Sequence, residues 1–256
     1  MSTRMTKRAL SLFLTVCILF SSLTVIAVAE DATWMPSENT KIFVDVDSVG
    51  FFEDLKYEAN FFASEYEAML GTAPVVTMGH AHEVGDADIL LTRKASIPAQ
   101  GYEVSIRDDQ LTVAASDDDG LFYGWHYVIK QMKAYGKVSP AAEAPDVSER
   151  SGSLDNGRKY YSVDWIKQLI REMAWADMNT LVLHFSEEMG LGLESKLYPW
   201  LNGRDGRFCA QATLEENFDD RYLTQEELLE IAAYAKTYHV DLVPSMETPG
   251  QMNNIV

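Results

Sequence analysis

Cysteine is nearly missing from this sequence, which has two among its 256 residues. Cys17 lies in an apolar stretch at the N-terminus, so a chain that has lost this stretch keeps only Cys209. A single cysteine forms no internal disulfide, and we therefore expect packing to stabilise the fold. Repeats and low-complexity tracts are also missing. A hydrophobic fraction of 47% is enough for a packed core, which excludes general disorder.

Basic residues are scarce as well. The chain has 21 Lys and Arg against 39 Asp and Glu, which gives a formal net charge of −18. A surface this acidic repels phosphate backbones, so we expect no nucleic-acid partner. The acidity also favours solubility, and that simpler explanation is sufficient for it.

The only long apolar run stands at the N-terminus, where residues 1–29 predict an export signal. Arg4, Lys7 and Arg8 form a basic start, residues 10–28 are apolar, and Ala27-Val28-Ala29 has the form of a cleavage site. The alternative is a retained membrane anchor, since the run is close to the length that spans a bilayer. We favour the signal and expect a secreted or otherwise extracytoplasmic protein, with no stable membrane insertion after cleavage.

Residues 30–147 predict a small α+β domain with a largely antiparallel sheet. Apolar residues alternate at 102–106 and 111–115, and Asp108-Asp109-Gln110 between them suits a hairpin turn. Helical spacing covers 55–70 and 121–134, and Asp117 can cap the second helix. The proline-containing stretch 139–145 is interpreted as a linker. Further strands are predicted at 42–46, 75–78 and 89–91.

Residues 148–256 alternate between strand and helix patterns, which is typical of βα units on a parallel sheet. We predict strands at 153–156, 181–185 and 240–244 and helices at 163–178 and 228–238. The fold class is therefore α/β, with the first three units of a (β/α)8 TIM barrel after the smaller domain. A complete barrel takes about 250 residues, so we expect the natural protein to continue beyond Val256 or this chain to be a fragment.

Polar side chains follow each predicted strand of this second half. They are Asp155-Asn156 after the first, His184 with Glu187-Glu188 after the second, and Glu247 after the third. Ligands of parallel sheets bind at the carboxyl ends of the strands, so these residues are the candidate site. Solvated loop charge, helix capping and a core histidine are the alternatives. Glu187, Glu188 and Glu247 could also bind Ca²⁺, but their spacing fits no compact loop, and we expect no metal and no cofactor.

The order of several motifs resembles glycoside hydrolase family 20, the β-N-acetylhexosaminidases and lacto-N-biosidases. The motifs are Gly120-Leu-Phe-Tyr-Gly124, residues 150–167, residues 179–190, Leu193-Glu-Ser-Lys-Leu-Tyr-Pro199 and Pro244-Ser-Met-Glu-Thr-Pro-Gly250. The form Gly157-Arg-Lys-Tyr-Tyr161 is closer to the lacto-N-biosidase branch.

The resemblance implies substrate-assisted hydrolysis, in which the acetamido oxygen of the substrate attacks the anomeric carbon. The Asp-Glu pair of the family follows its fourth strand, beyond Val256, so no residue here is assigned as catalytic and we expect the chain to be inactive alone. The implied substrate is a glycan with a terminal N-acetylhexosamine or lacto-N-biose. The implied substrate-binding residues are Arg150, His184, Glu188, Glu247 and Gln251.

This sequence also departs from the family pattern. Glu187-Glu188 and Glu247 stand where the family has Asp, and Gln251 stands where it has His. Ser245 replaces a Glu, and Leu191 replaces a Trp. A longer acid moves its carboxylate by more than about an ångström, which matters to catalysis. A non-catalytic glycan-binding protein of the same fold is therefore the second hypothesis.

Overall fold

The fold is built on two β-sheets, one from each half of the chain. A computed structural model describes residues 32–48, 50–187, 190–202 and 221–250. The first sheet has six strands, which are β1 (Lys41–Asp45), β2 (Val75–Gly79), β3 (Ile89–Arg93), β4 (Tyr102–Arg107), β5 (Gln110–Ala115) and β6 (Ala141–Glu143). Their order across the sheet is β2-β1-β3-β5-β4-β6. Its helices are α1 (Phe52–Leu70) and α2 (Asp118–Tyr135), with a 3₁₀ turn at Ala81–Glu83.

The prediction of a largely antiparallel first sheet is wrong. β1 pairs in parallel with β2 and β3, and β3 pairs in parallel with β5. Only β4 pairs antiparallel, with β5 and with β6. The reason is that α1 forms a crossover between β1 and β2, and a crossover of this length joins parallel strands.

The hairpin of β4 and β5 is confirmed, with Asp108 and Asp109 in its turn at φ of 50° and 60°. Asp117 caps α2 as predicted, since its carboxylate accepts a 2.8 Å hydrogen bond from the backbone N–H of Gly120. The predicted linker is partly strand, because β6 lies within it. β6 covers the edge that β4 would otherwise expose.

The main elements of the second half are β7 (Ser151–Asp155), α3 (Val163–Trp175), β8 (Thr180–His184), α4 (Gln225–Thr237) and β11 (Asp241–Ser245). The three strands form a parallel sheet in the order β11-β8-β7. Consecutive strands are neighbours and a helix follows each of the first two, as in the first three units of a TIM barrel. The parallel pairing predicted for the second and third strands is therefore confirmed.

Two short elements extend the connection after β8. β9 (Ser186–Glu187) and β10 (Gly190–Leu191) form an antiparallel pair, and a 3₁₀ turn follows at Pro199–Leu201.

Ser162 caps α3 and Thr224 forms a capping box on α4, as their sequence patterns predicted.

The two halves share one hydrophobic core, which reaches from Trp34 and Phe62 to Ile170 and Leu183. Polar contacts join the halves as well. Lys130 on α2 donates to both carboxylate oxygens of Asp177 at 2.8 Å. None of the helices in the described ranges combines the length and apolarity needed to cross a membrane.

Candidate active site at the carboxyl ends of the strands

The register of the second sheet aligns three polar residues at its carboxyl edge. Asp155 of β7 lies opposite His184 of β8, and His184 lies opposite Ser245 of β11. Strand-end side chains from three neighbouring strands therefore form one row, at the edge where sequence reasoning placed the candidate site.

His184 has a polar neighbour on each side of its ring. Its Nδ1 lies 3.2 Å from the hydroxyl oxygen of Ser245, and its Nε2 lies 3.3 Å from Oε1 of Glu187. An ionised carboxylate only accepts hydrogen bonds, so a proton on Nε2 suits the contact with Glu187. A neutral ring with that proton accepts the hydroxyl hydrogen of Ser245 at Nδ1. The two contacts together orient the ring.

Glu187 is the buried acid of this site, with its side chain only 7% exposed. Its Oε1 forms an ion pair with Nη2 of Arg158 at 2.8 Å and also faces His184. A buried carboxylate needs such a partner, because desolvation without a compensating cation is costly.

Arg158 bridges two carboxylates and still reaches solvent. Its Nη1 lies 3.0 Å from Asp155, its Nη2 lies 2.8 Å from Glu187, and its side chain is 57% exposed. Asp155 also accepts 3.0 Å bonds from the backbone N–H groups of Gly157 and Arg158. The Asp155 carboxylate thereby holds the loop after β7 in a turn, and the guanidinium of Arg158 contacts both Asp155 and Glu187.

Glu247 also reaches this edge. Its backbone N–H donates to the buried hydroxyl of Ser186 at 2.7 Å, while the residue itself is exposed. This bond ties the chain after β11 to the chain after β8. Of the predicted substrate-binding residues, His184 and Glu247 therefore both lie at the carboxyl edge.

Arg150 lies at the other end of the sheet. It precedes β7, and the rise of about 3.3 Å per residue puts it about 16 Å from Asp155 along the strand. Its guanidinium donates to Gln100 at 2.8 Å, to the hydroxyl of Tyr123 at 2.9 Å and to the Asp177 carbonyl at 2.5 Å. The structure does not bring Arg150 together with the carboxyl-edge residues. Arg150 instead joins the two halves of the chain.

Glu188 and Gln251, the other predicted substrate-binding residues, lie outside the described residues. So do the predicted export signal and both cysteines. Among the residues that are described, no three His, Cys, Asp or Glu side chains are arranged to hold a metal ion. A site that included Glu188 is not tested by this observation.

Sequence reasoning missed the site roles of Arg158 and Ser245. Arg158 follows the end of β7 by three residues, and this position after a strand was the available signal. Ser245 was treated only as a departure from a family pattern. Asn156 was placed at the predicted site together with Asp155; it is 4% exposed, and neither polar atom of its amide has a hydrogen-bond partner.

Family models match both halves of the chain. The model of the glycosyl hydrolase family 20 catalytic domain matches residues 149–256, and the model of domain 2 of the same family matches residues 30–147. The chain belongs to glycoside hydrolase family 20.

Individual relatives are more distant. A β-hexosaminidase of Vibrio furnissii is 26% identical over 180 residues, which cover 66% of this chain and 30% of the relative. A lacto-N-biosidase of Bifidobacterium bifidum is 27% identical over 173 residues, which cover 65% of this chain and 14% of that protein. The chain thus spans less than a third of the length of either relative.

Solved structures show the same fold. A β-N-acetylhexosaminidase from Bacteroides fragilis superposes with a TM-score of 0.68 at 23% identity, covering 88% of this chain and 43% of that one. An exo β-N-acetylglucosaminidase from Vibrio harveyi, in complex with N-acetylglucosamine, gives 0.70 at 17% identity, with coverage of 88% and 36%.

Proposed function

We propose that this chain is the sugar-recognising portion of an extracytoplasmic glycosidase that removes N-acetylhexosamine-containing units from glycans. Membership in glycoside hydrolase family 20 supports the reaction class. The names of the relatives, β-hexosaminidase and lacto-N-biosidase, support a substrate with N-acetylhexosamine or lacto-N-biose at its end. The basic and apolar pattern of residues 1–29 supports export.

The exposed guanidinium of Arg158 is the observation that carries this proposal. Guanidinium has five N–H donors, and Asp155 and Glu187 hold it in place while more than half of the side chain stays open to solvent. Vicinal sugar hydroxyls offer neighbouring acceptors to such a fork. A cation held by two carboxylates is therefore suited to orient the terminal sugar at the carboxyl edge.

The neighbouring residues complete a recognition surface. Glu187 keeps acceptor capacity for a sugar hydroxyl, and His184 holds Glu187 from the other side at 3.3 Å. Ser245 in turn fixes the orientation of His184. Bond cleavage is assigned to a general acid and to the substrate's own acetamido group, as the family resemblance implies. The residues described here bind and orient the substrate.

A non-catalytic glycan-binding protein is the second candidate. The observation that favours it is the longer acid at two strand ends, Glu187 and Glu247 where the family has Asp. Both candidates need the same sugar contacts at the carboxyl edge. Hydrolysis of an aryl N-acetylglucosaminide by the full natural protein separates them.

Sugar binding by the 256-residue chain tests the proposed site. Titration with N-acetylglucosamine and with lacto-N-biose, followed by NMR or calorimetry, should show saturable binding. Arg158→Ala should weaken that binding by about 10- to 100-fold, the value of one or two charge-assisted hydrogen bonds. Arg158→Lys keeps a positive charge near Glu187. It therefore tests whether a loss of sugar binding in Arg158→Ala arises only because Glu187 has lost its cation.

Lys159→Ala is the matched control, because Lys159 is the adjacent exposed cation and forms no ion pair within the described residues. It should bind sugar as the unaltered chain does. Equal affinity in the Arg158→Ala variant and the control would remove Arg158 from the proposed site.

A further inference from the structure

A cavity lies where the two halves of the chain meet, on the helical side of the second sheet. It has a volume of about 560 Å³ and is lined by residues of α1, α2, α3 and α4, together with the residue that follows α4. We call it the junction groove. Its lining contains none of the carboxyl-edge residues, Asp155, Arg158, His184, Glu187 or Ser245. Ligand pockets usually span about 300–1,000 Å³, so the volume suits a small molecule or a short oligosaccharide.

The charges of the junction groove cancel. Lys133, Lys167 and Arg171 line it, and so do three acids, Glu65, Asp164 and Glu172. This balance contrasts with the formal net charge of −18 for the whole chain. A groove with no net charge selects neither an anion nor a cation, and its many donors and acceptors favour a neutral polar ligand.

Aromatic rings form part of the lining. Trp175 lies beneath the ammonium group of Lys133, which is 5.3 Å from the ring centroid. Tyr234 and Tyr238 add a second ring pair, with centroids 4.9 Å apart. Aromatic surfaces beside a few placed polar groups are the usual composition of a small-molecule site, and they match the apolar faces and hydroxyl edges of sugar rings.

His126 forms part of the wall of this cavity. It is only 3% exposed, and its Nδ1 has no hydrogen-bond partner. Burial lowers the pKa of this histidine, so the ring is neutral at neutral pH and adds no charge to the groove.

We propose that the junction groove is a second glycan-binding site, which takes a neutral oligosaccharide beside Trp175 and Tyr234 and the lysines that lie over their rings, Lys133 and Lys167. It would hold part of the glycan, or a neighbouring glycan chain, away from the carboxyl edge. The inference shares with the proposed function only the class of ligand, because it uses a different set of residues.

Chitotriose titrations of the full chain, with NMR detection of the tryptophan indole N–H resonances, test this proposal. The Trp175 indole signal should shift as chitotriose is added. The same shift should occur in the Arg158→Ala variant. Trp175→Ala should weaken binding at the groove by about two- to tenfold, as expected for one aromatic contact. Trp165→Ala is the matched control, since Trp165 is an exposed tryptophan on the same helix but outside the groove.

Gln168→Ala provides a second variant, because this exposed groove residue can be shortened without removing core packing. Thermal melting identifies any variant that fails to fold. An unshifted Trp175 signal, or equal affinities in the Trp175 and Trp165 variants, would overturn the second site. Loss of binding in Arg158→Ala alone would then leave the proposed function standing. Conversely, binding that depends on Trp175 and ignores Arg158 would support the groove and contradict the proposed carboxyl-edge site.

Discussion

His239 makes the stability of this fold depend on pH. It stands two residues before β11, where its Nδ1 lies 2.7 Å from Asp119 of α2 and its Nε2 lies 3.0 Å from Glu58 of α1. The ring packs 4.5 Å from that of Phe122, and the side chain is 11% exposed. A histidine with carboxylates at both nitrogens donates two hydrogen bonds only when it is protonated.

The pKa of His239 gives the size of the effect. Burial alone would lower this pKa, but the hydrogen bonds to Asp119 and Glu58 outweigh burial and raise it from 6.5 to about 9. Each pKa unit corresponds to about 1.4 kcal/mol, so the protonated histidine contributes about 3 kcal/mol to the free energy of unfolding. Because the pKa is raised in the folded state, this contribution is complete below pH 6.5 and is lost as the pH rises to about 9.

Urea unfolding of the chain and of a His239→Gln variant, at about pH 6 and about pH 9.5, measures this contribution. The stability difference between the two proteins should shrink by about 3 kcal/mol from the lower to the higher pH. Other groups titrate equally in both proteins and cancel in this comparison.

His82→Gln is the control, since His82 is exposed and forms no ion pair in the described part of the chain. Its stability difference from the unaltered chain should be the same at both pH values. A His239→Gln difference that also stays constant with pH would refute the argument, because the ion pairs of His239 would then contribute nothing that titrates.

Three further outcomes follow from the packing. Burial lowers the pKa of His126 to about 3, so the folded chain loses stability as the pH falls below 6.5. The melting temperature should therefore fall less between neutral pH and about pH 4.5 in the His126→Phe variant than in the unaltered chain. A Cβ on Gly192 would lie 2.1 Å from the carbonyl oxygen of Asn156, so Gly192→Ala should cost about 1–3 kcal/mol in denaturant unfolding, whereas Gly152→Ala, with 3.4 Å to its nearest neighbour, should cost less. Arg150→Met should lower the free energy of unfolding by about 2–4 kcal/mol through lost hydrogen bonds and leave sugar affinity unchanged. A loss of sugar affinity without destabilisation would instead support the substrate-binding role that the family resemblance gave to Arg150.

Helices and their ends were predictable from the sequence because their signals are local. Ser162 and Thr224 each stand directly before a helical apolar pattern, and both cap the helix that follows. The direction of strand pairing in the first half was not predictable in this way. Short apolar strands such as β1 and β3 carry no local mark of the partner beside them. β6 was missed since Ala-Ala-Glu has little strand preference and becomes a strand only by pairing with β4.

The candidate site was predictable where it followed from strand order. His184 stands at the end of its strand, and the rule that ligands bind at carboxyl ends selects it. The same rule selects Arg158, which follows β7, over Arg150, which precedes it. The contacts of Glu187 were not predictable, because they depend on a loop that Asp155 folds back through hydrogen bonds to Gly157 and Arg158.

The amino ends of all three parallel strands are fastened to the first half of the chain. Arg150 precedes β7 and binds Tyr123, Asp177 precedes β8 and binds Lys130, and His239 precedes β11 and binds Glu58 and Asp119. The carboxyl-edge residues depend on the relative register of these same strands. A shift of a strand at its amino end would also displace the side chain at its carboxyl end. The first half therefore positions the candidate site, although none of the described site residues belongs to it.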